Sequence, residues 1–212
     1  MKHIKLFEDF SRYRRIKGVT LEQQEFLYNC LGASYAYAAV KVNSDGSVDV
    51  NRDLWMGIDP SLKKFPIKFN IVTGDFYCRD QPLLETLEGA PNIVHGDFNC
   101  DNCPKLVSLE GGPSIVTGSY SCIRNHFKDL KGSAQKVGYD FDCSHNPHLK
   151  SIEGGPDFIE GTFIATETGL PPEQLAMIDK FDLYIEWKES KLSLEQFLHK
   201  KRGTVKGIEF GF

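Results

Sequence analysis

The sequence predicts an α+β protein built on a short parallel β-solenoid of about five 22-residue coils, with helical caps at both ends. Three observations lead there. An octapeptide pattern returns as Ile71-Val-Thr-Gly-Asp-Phe-Tyr-Cys78, Ile93-Val-His-Gly-Asp-Phe-Asn-Cys100, Ile115-Val-Thr-Gly-Ser-Tyr-Ser-Cys122 and Lys136-Val-Gly-Tyr-Asp-Phe-Asp-Cys143. A fifth copy, Phe158-Ile-Glu-Gly-Thr-Phe-Ile-Ala165, has Ala at the cysteine position, so that position steps by 22, 22, 21 and 22 residues. Between the copies recurs a second element, as in Leu84-Glu-Thr-Leu87-Glu-Gly-Ala-Pro91 and Leu106-Val-Ser-Leu109-Glu-Gly-Gly-Pro113, whose last Leu, Phe or Ile always stands 13 residues before the next cysteine position. Within each octapeptide, aromatic residue and cysteine alternate with polar residues. That period of two sends them to one face of a strand.

Composition bounds the rest. The chain has 212 residues, 41% apolar and 25% charged, with a net charge of −4. Those values belong to a globular chain of one domain or two small ones, able to build a core without staples. No apolar run approaches the ~20 residues that a membrane helix needs. The opening Met1-Lys-His-Ile-Lys-Leu-Phe-Glu-Asp-Phe10 interrupts its apolar residues with charge, unlike a signal peptide. A cytoplasmic location is therefore expected, with the six cysteines as thiols.

Residues 1–61 are expected to form a helical and hairpin cap. Residues 3–15 read as a short helix with Ile4, Phe7 and Phe10 on one side. Thr20-Leu-Glu-Gln23 reads as a capping box that opens a helix through Leu31, stopped by Gly32. Tyr37–Val42 and Ser47–Val50 flank Asn43-Ser-Asp-Gly46 as in a hairpin. The solenoid is expected over 62–168, beginning with the partial copy Leu62-Lys-Lys-Phe65 and losing one residue between Cys122 and Phe127. Residues 169–212 form the C-terminal cap and tail: Pro171-Pro172 opens a helix to about Phe181, and Ser193 N-caps another that ends in a basic turn before Gly203.

Three residues past each cysteine position stand Gln81, Cys103, Asn125, Asn146 and Thr168. Together with Phe-x-Cys in place of Leu-x-Leu, this resembles a leucine-rich repeat, in which a residue at that position satisfies backbone groups of the turn. The leading leucine is replaced by Thr73, His95, Thr117, Gly138 and Glu160, and the Leu-x-x-Leu-Glu-Gly-x-Pro side is too rich in Gly and Pro for a helix. More closely, the unit Gly-Asp-Phe-x-Cys…Leu-x-Ser-Leu-Glu-Gly-x-Pro resembles short repeats of tailed-phage and bacterial proteins of unassigned function. That resemblance covers about residues 62–168 and implies a fold and a phage setting, but no activity.

Charge is uneven. Residues 66–168 carry 8 Lys/Arg and 14 Asp/Glu, whereas residues 1–17 carry six basic and two acidic side chains. The polar positions of the octapeptides are expected to face outward from one sheet, where Asp75 and Asp97 of neighbouring rungs would repel each other across ~4.8 Å. The candidate partner-binding residues are Asp75, Tyr77, Arg79, His95, Asp97, Asn99, Asp101, Asp140 and Asp142. Cys100-Asp-Asn-Cys103 and Cys143-Ser-His-Asn-Pro-His148 raise zinc, but those cysteines occupy a position that Ala165 also fills, so no metal or cofactor is expected. Phosphate-binding loops and hydrolase motifs are absent, and the acidic carboxylates recur with the repeat, which argues against an enzyme. An acidic face is also opposite to a nucleic-acid footprint, with Arg12–Lys17 and His199–Arg202 as the only basic clusters. The expected role is non-enzymatic protein recognition, as a phage accessory factor that binds a host or phage protein, with inhibition of that protein as one outcome. The alternatives are a virion decoration protein that uses residues 1–17 and 203–212 as arms, and a nucleotide or small-molecule sponge.

Overall fold

In the computed structural model, residues 14–179, 181–190 and 192–201 are described. They form a β-solenoid with helices at both ends. Helix α1 (Leu21–Leu31) is opened by the expected capping box: Thr20 Oγ1 accepts the Gln23 N–H, and the Gln23 side chain accepts the Thr20 N–H. A second helix, α2 (Ala33–Ala39), follows Gly32 and takes in Tyr37, so the expected hairpin strand begins only at β1 (Val40–Val42). Strand β1 pairs antiparallel with β2 (Val48–Val50), as the Asn43–Gly46 turn predicts.

The expected single strand of each octapeptide is two short strands separated by a corner. The first strands are β4 (Phe69–Val72), β6 (Ile93–Val94), β8 (Ile115–Val116), β10 (Lys136–Val137) and β12 (Phe158–Ile159). The second strands are β5 (Phe76–Tyr77), β7 (Phe98–Asn99), β9 (Tyr120–Ser121), β11 (Phe141–Asp142) and β13 (Phe163–Ile164). The first set extends a seven-stranded sheet, β1-β2-β4-β6-β8-β10-β12, and the second a six-stranded sheet with β3 (Leu54–Trp55) at its edge. All pairs but β1–β2 are parallel. The corner falls where glycine lets successive rungs close up: a Cβ on Gly96 would lie 2.2 Å from Asp75 Oδ1, and one on Gly118 would lie 2.3 Å from Asp97 Oδ1.

Strand β3 belongs to a further rung, one that lacks the octapeptide's letters. Asp53, Leu54, Trp55 and Met56 stand 22 residues before Asp75, Phe76, Tyr77 and Cys78, and Leu54 and Trp55 pair in register with Phe76 and Tyr77. The parallel ladders thus begin at Val48, inside the segment read from sequence as a cap.

The core is a column of in-register aromatic rings. Phe76 and Phe98 stack at 5.8 Å with 6° between planes, followed by Tyr120, Phe141 and Phe163 at centroid separations of 4.8, 5.2 and 5.1 Å. Val72, Val94, Val116, Val137 and Ile159 line the core from the other sheet, and Cys78, Cys100, Cys122 and Cys143 point into it.

The turn after the second strand is left-handed at Asp80, Asn102, Arg124, His145 and Glu167. Beside it runs the polar ladder that the repeat resemblance implies. Asn125 Oδ1 accepts the Cys103 N–H at 2.9 Å, while its Nδ2 donates to the carbonyls of Cys100, Cys122 and Ile123. Asn146 repeats this pattern one rung on, and Gln81 holds Asp59 N–H and the Gly57 carbonyl. Because Asn125 keeps every ladder bond, the deleted residue lies after it: two residues separate Cys103 from Leu106, but only His126 separates Asn125 from Phe127.

The C-terminal cap continues the ladder with a helix. Helix α3 (Pro172–Asp179) places Gln174 so that its Oε1 accepts the Ile152 N–H at 2.9 Å. Helix α4 (Phe181–Glu189), which the sequence reading did not anticipate, closes the aromatic column with Tyr184 against Phe163 at 5.3 Å. Lys188 Nζ donates to the Gly155 carbonyl at 2.8 Å and pairs with Asp157 at 2.9 Å. Helix α5 (Leu194–Lys201) has Ser193 as its N-cap, as expected. The expected helix over 3–15, apart from residues 14 and 15, and the C-terminal arm at 203–212 lie outside the described residues. Among the described residues no helix is long and apolar enough to cross a membrane.

Candidate functional site

The second sheet puts three rows of side chains on its outer surface and at its borders. The middle row is Trp55, Tyr77, Asn99, Ser121 and Asp142, in register from β3 to β11. The corner row is Asp53, Asp75, Asp97, Ser119 and Asp140, and the row after the strands includes Arg79, Asp101, Ile123 and Ser144.

The corner aspartates do not simply face outward and repel, as the sequence reading expected. Each turns along the stack and accepts a backbone N–H from the next rung. Asp53 Oδ1 accepts from Asp75 N (3.0 Å), Asp75 Oδ1 from Asp97 N (2.8 Å), Asp97 Oδ1 from Ser119 N (2.8 Å) and Asp140 Oδ1 from Thr162 N (2.8 Å). A charge-assisted bond to a backbone amide offsets the like-charge repulsion between rungs. These carboxylates are therefore part of the scaffold as well as of the surface.

Asp101 behaves similarly. Its Oδ1 accepts from Ser121 Oγ (2.7 Å) and Ile123 N (2.6 Å), and its Oδ2 from Asn99 Nδ2 (2.8 Å). Asn99 Oδ1 in turn accepts the Asp101 N–H at 3.0 Å, and Asp142 Oδ1 accepts the Ser144 N–H at 2.9 Å. The Tyr77 hydroxyl donates to Asp75 Oδ2 at 3.1 Å and lies 3.5 Å from Asp97 Oδ2. Burial, with the Asp75 and Asp97 carboxylates adding to it, pushes its pKa up to about 12, so it stays a donor at neutral pH.

A groove of about 550 Å³ opens on this surface over the first rungs. Of the candidate residues, Tyr77, Arg79, Asp97 and Asn99 line it, together with Trp55, Ile58 and Ser121. Asp75 and Asp101 are not among the lining residues but hold lining side chains by hydrogen bonds. His95 sits exposed at the corner on the other strand's side, where its carbonyl accepts from Thr117 Oγ1 at 2.6 Å, and Asp140 and Asp142 lie further along the stack. Trp55 and Ile58, 60% and 71% exposed, were missed. Counting one period of 22 back from Tyr77 would have found Trp55. Trp55 meets Tyr77 edge-on, ring centroids 5.0 Å apart at 89°.

The cysteines form an interior column. Cys100, Cys122 and Cys143 each direct Sγ at a carbonyl of the next rung, 3.5–3.6 Å away. Burial raises the thiol pKa values well above the ordinary range at Cys78, Cys100 and Cys122, and to about 11 at Cys103. They are packing groups, poorly suited to nucleophilic chemistry. His145 Nδ1 lies 2.8 Å from Glu167 Oε2, and among the described residues no three His, Cys, Asp or Glu side chains are grouped so as to hold a metal. Of the N-terminal basic cluster, Arg14 lies over the Tyr37 ring at 4.4 Å, and Arg12 and Tyr13 fall outside the described residues.

No family model, curated protein or solved structure matches the chain.

Proposed function

We propose that the protein is a non-enzymatic recognition module that binds another protein through the outer surface of the second sheet, centred on the groove. The observation that carries this reading is the exposed pair Trp55 and Ile58 beside half-buried Tyr77 at the rim of the groove. A large exposed aromatic next to a concavity is the residue type that dominates binding energy at interfaces. The solenoid supplies rigidity, since every rung is bonded to the next through both sheets and through the side-chain ladders, so the groove is preformed. The repeat's resemblance to short repeats of tailed phages supports a finer proposal: a phage accessory protein acting in the host cytoplasm on a host or phage protein. The virion-arm alternative draws on residues 1–17 and 203–212, of which only 14–17 are among the described residues, and no feature of the groove favours a nucleotide.

The test is affinity capture from lysates of candidate hosts, with and without phage infection, using wild type and a Trp55→Ala/Ile58→Ser variant. Both positions are exposed and neither supports the ladders, whereas charge reversal at Asp97 or Asp140 would also remove an inter-rung bond. One partner held by wild type and lost by the variant, with unfolding temperature unchanged, supports the reading. A partner retained equally by the variant overturns it.

A further inference from the structure

We propose that the groove accepts a basic, extended segment of the partner protein, with one lysine or arginine side chain seated between the Trp55 ring and the Asp97 carboxylate. This rests on the recognition reading above and names its chemistry.

Charge complementarity carries it. Asp75, Asp97 and Asp101 accept hydrogen bonds only from backbone N–H groups and from the neutral side chains of Tyr77, Asn99 and Ser121. Among the described residues, no Lys, Arg or His nitrogen lies within 4.0 Å of these three carboxylates. The groove's own cation, Arg79, is turned to Asp80 at 3.6 Å. Negative charge under and along the groove is thus hydrogen-bonded in place yet uncompensated by positive charge. An incoming cation meets carboxylates that are already oriented and need no rearrangement.

The aromatic wall suits the same ligand. Trp55 touches Tyr77 edge-on and is otherwise largely uncovered, which leaves indole surface for a guanidinium or ammonium group. The aliphatic stem of such a side chain can lie along Ile58, the most exposed large apolar residue described. The length also fits. Trp55, Tyr77, Asn99 and Ser121 lie on four successive rungs, and at ~4.8 Å per rung they span roughly 14 Å, the length of about four extended residues. Asn99, Ser119 and Ser121 offer polar groups along that line for the backbone of the segment.

The chain has two tryptophans, and Trp187 is buried, so its indole N–H resonance is an internal control for that of Trp55. The probes are blocked oligo-arginine, oligo-lysine, oligo-glutamate and oligo-serine peptides and a neutral cello-oligosaccharide, titrated by NMR. The variants are Trp55→Ala and Asp97→Asn, the latter keeping an oxygen for the Ser119 N–H. The proposal expects oligo-arginine or oligo-lysine to shift the Trp55 signal saturably and leave Trp187 unmoved. Asp97→Asn should weaken the affinity about tenfold, and added salt should weaken it further. No Trp55 shift at millimolar basic peptide, an equal shift with oligo-serine, or tighter binding of the sugar each overturns it. With a captured partner the two readings separate. Loss with Trp55→Ala but not with Asp97→Asn removes the basic-segment chemistry and leaves groove recognition standing, whereas indifference to both variants removes the recognition reading as well.

Discussion

The junctions between the early rungs and the junction after the third octapeptide are built differently. From Asp53 to Ser119 each corner aspartate reaches forward to a backbone N–H, and the residue it passes is always glycine: Gly74, Gly96 and Gly118. After Ser119 that arrangement stops. Serine is too short to reach across, and the residue opposite is Tyr139, 64% exposed, where every other octapeptide has glycine. The pattern resumes with Asp140, whose Oδ1 would lie 2.5 Å from a Cβ on Gly161. Aspartate on one rung and glycine on the next therefore form a single structural unit: where the acid is missing, a side chain is allowed. The same rung carries the other irregularities, namely a Tyr120 hydroxyl that is buried without a hydrogen-bond partner and the deletion after Asn125.

Breaking an intact junction should have the largest effect. Gly96→Ala places a methyl group 2.2 Å from Asp75 Oδ1 and 2.7 Å from the Gly74 carbonyl carbon, against backbone that cannot yield. It should cost about 3 kcal/mol in denaturant unfolding. A loss below about 0.5 kcal/mol would show that the corners are looser than described. Next comes the irregular junction. Ser119→Asp alone should destabilise by about 1–2 kcal/mol, because its carboxylate would be directed at the Cβ of Tyr139. Combined with Tyr139→Gly it should recover most of that loss by restoring the unit. A double-mutant cycle with no favourable coupling would mean that the two positions are independent.

Two smaller effects sharpen the contrast. Tyr120→Phe converts the irregular rung to the residue found in its neighbours and removes an unsatisfied buried hydroxyl. It should stabilise the fold by about 1 kcal/mol, read as a raised midpoint in urea. The smallest effect lies in alkaline solution. The Tyr77 hydroxyl has a folded pKa near 12, above its ordinary value, so the folded state holds the proton more tightly than the unfolded chain. Its contribution is fully present below the ordinary tyrosine pKa and is lost as pH rises through about 12. Tyr77→Phe should flatten the decline of stability above pH ~10. An unchanged slope would place that decline on other groups, the buried thiols first among them.

Much of the fold was legible because a solenoid repeats its environment. A position that is buried in one coil is buried in all, so Phe76, Phe98, Tyr120, Phe141 and Phe163 mark the core through their spacing. The Asn125 and Asn146 ladder was legible through the resemblance to leucine-rich repeats. The first rung was not, because Asp53-Leu-Trp-Met56 keeps the chemistry of the octapeptide but not its letters. The corner was hidden as well, since alternation over eight residues reads as one strand until the close approach of Asp75 to Gly96 is seen. At the candidate site, Tyr77, Arg79, Asp97 and Asn99 were found as outward positions, whereas Trp55 and Ile58 lay in a segment read as a cap.

By itself the sequence determined the period and the inward set, because burial imposes the same residue types on every coil. Only the tertiary structure decided which outward residues share a surface and what the aspartates do there. An exposed carboxylate looks the same in sequence whether it faces water or a neighbouring rung's amide. The distance between rungs, set by the stacking of the whole solenoid, distinguishes the two.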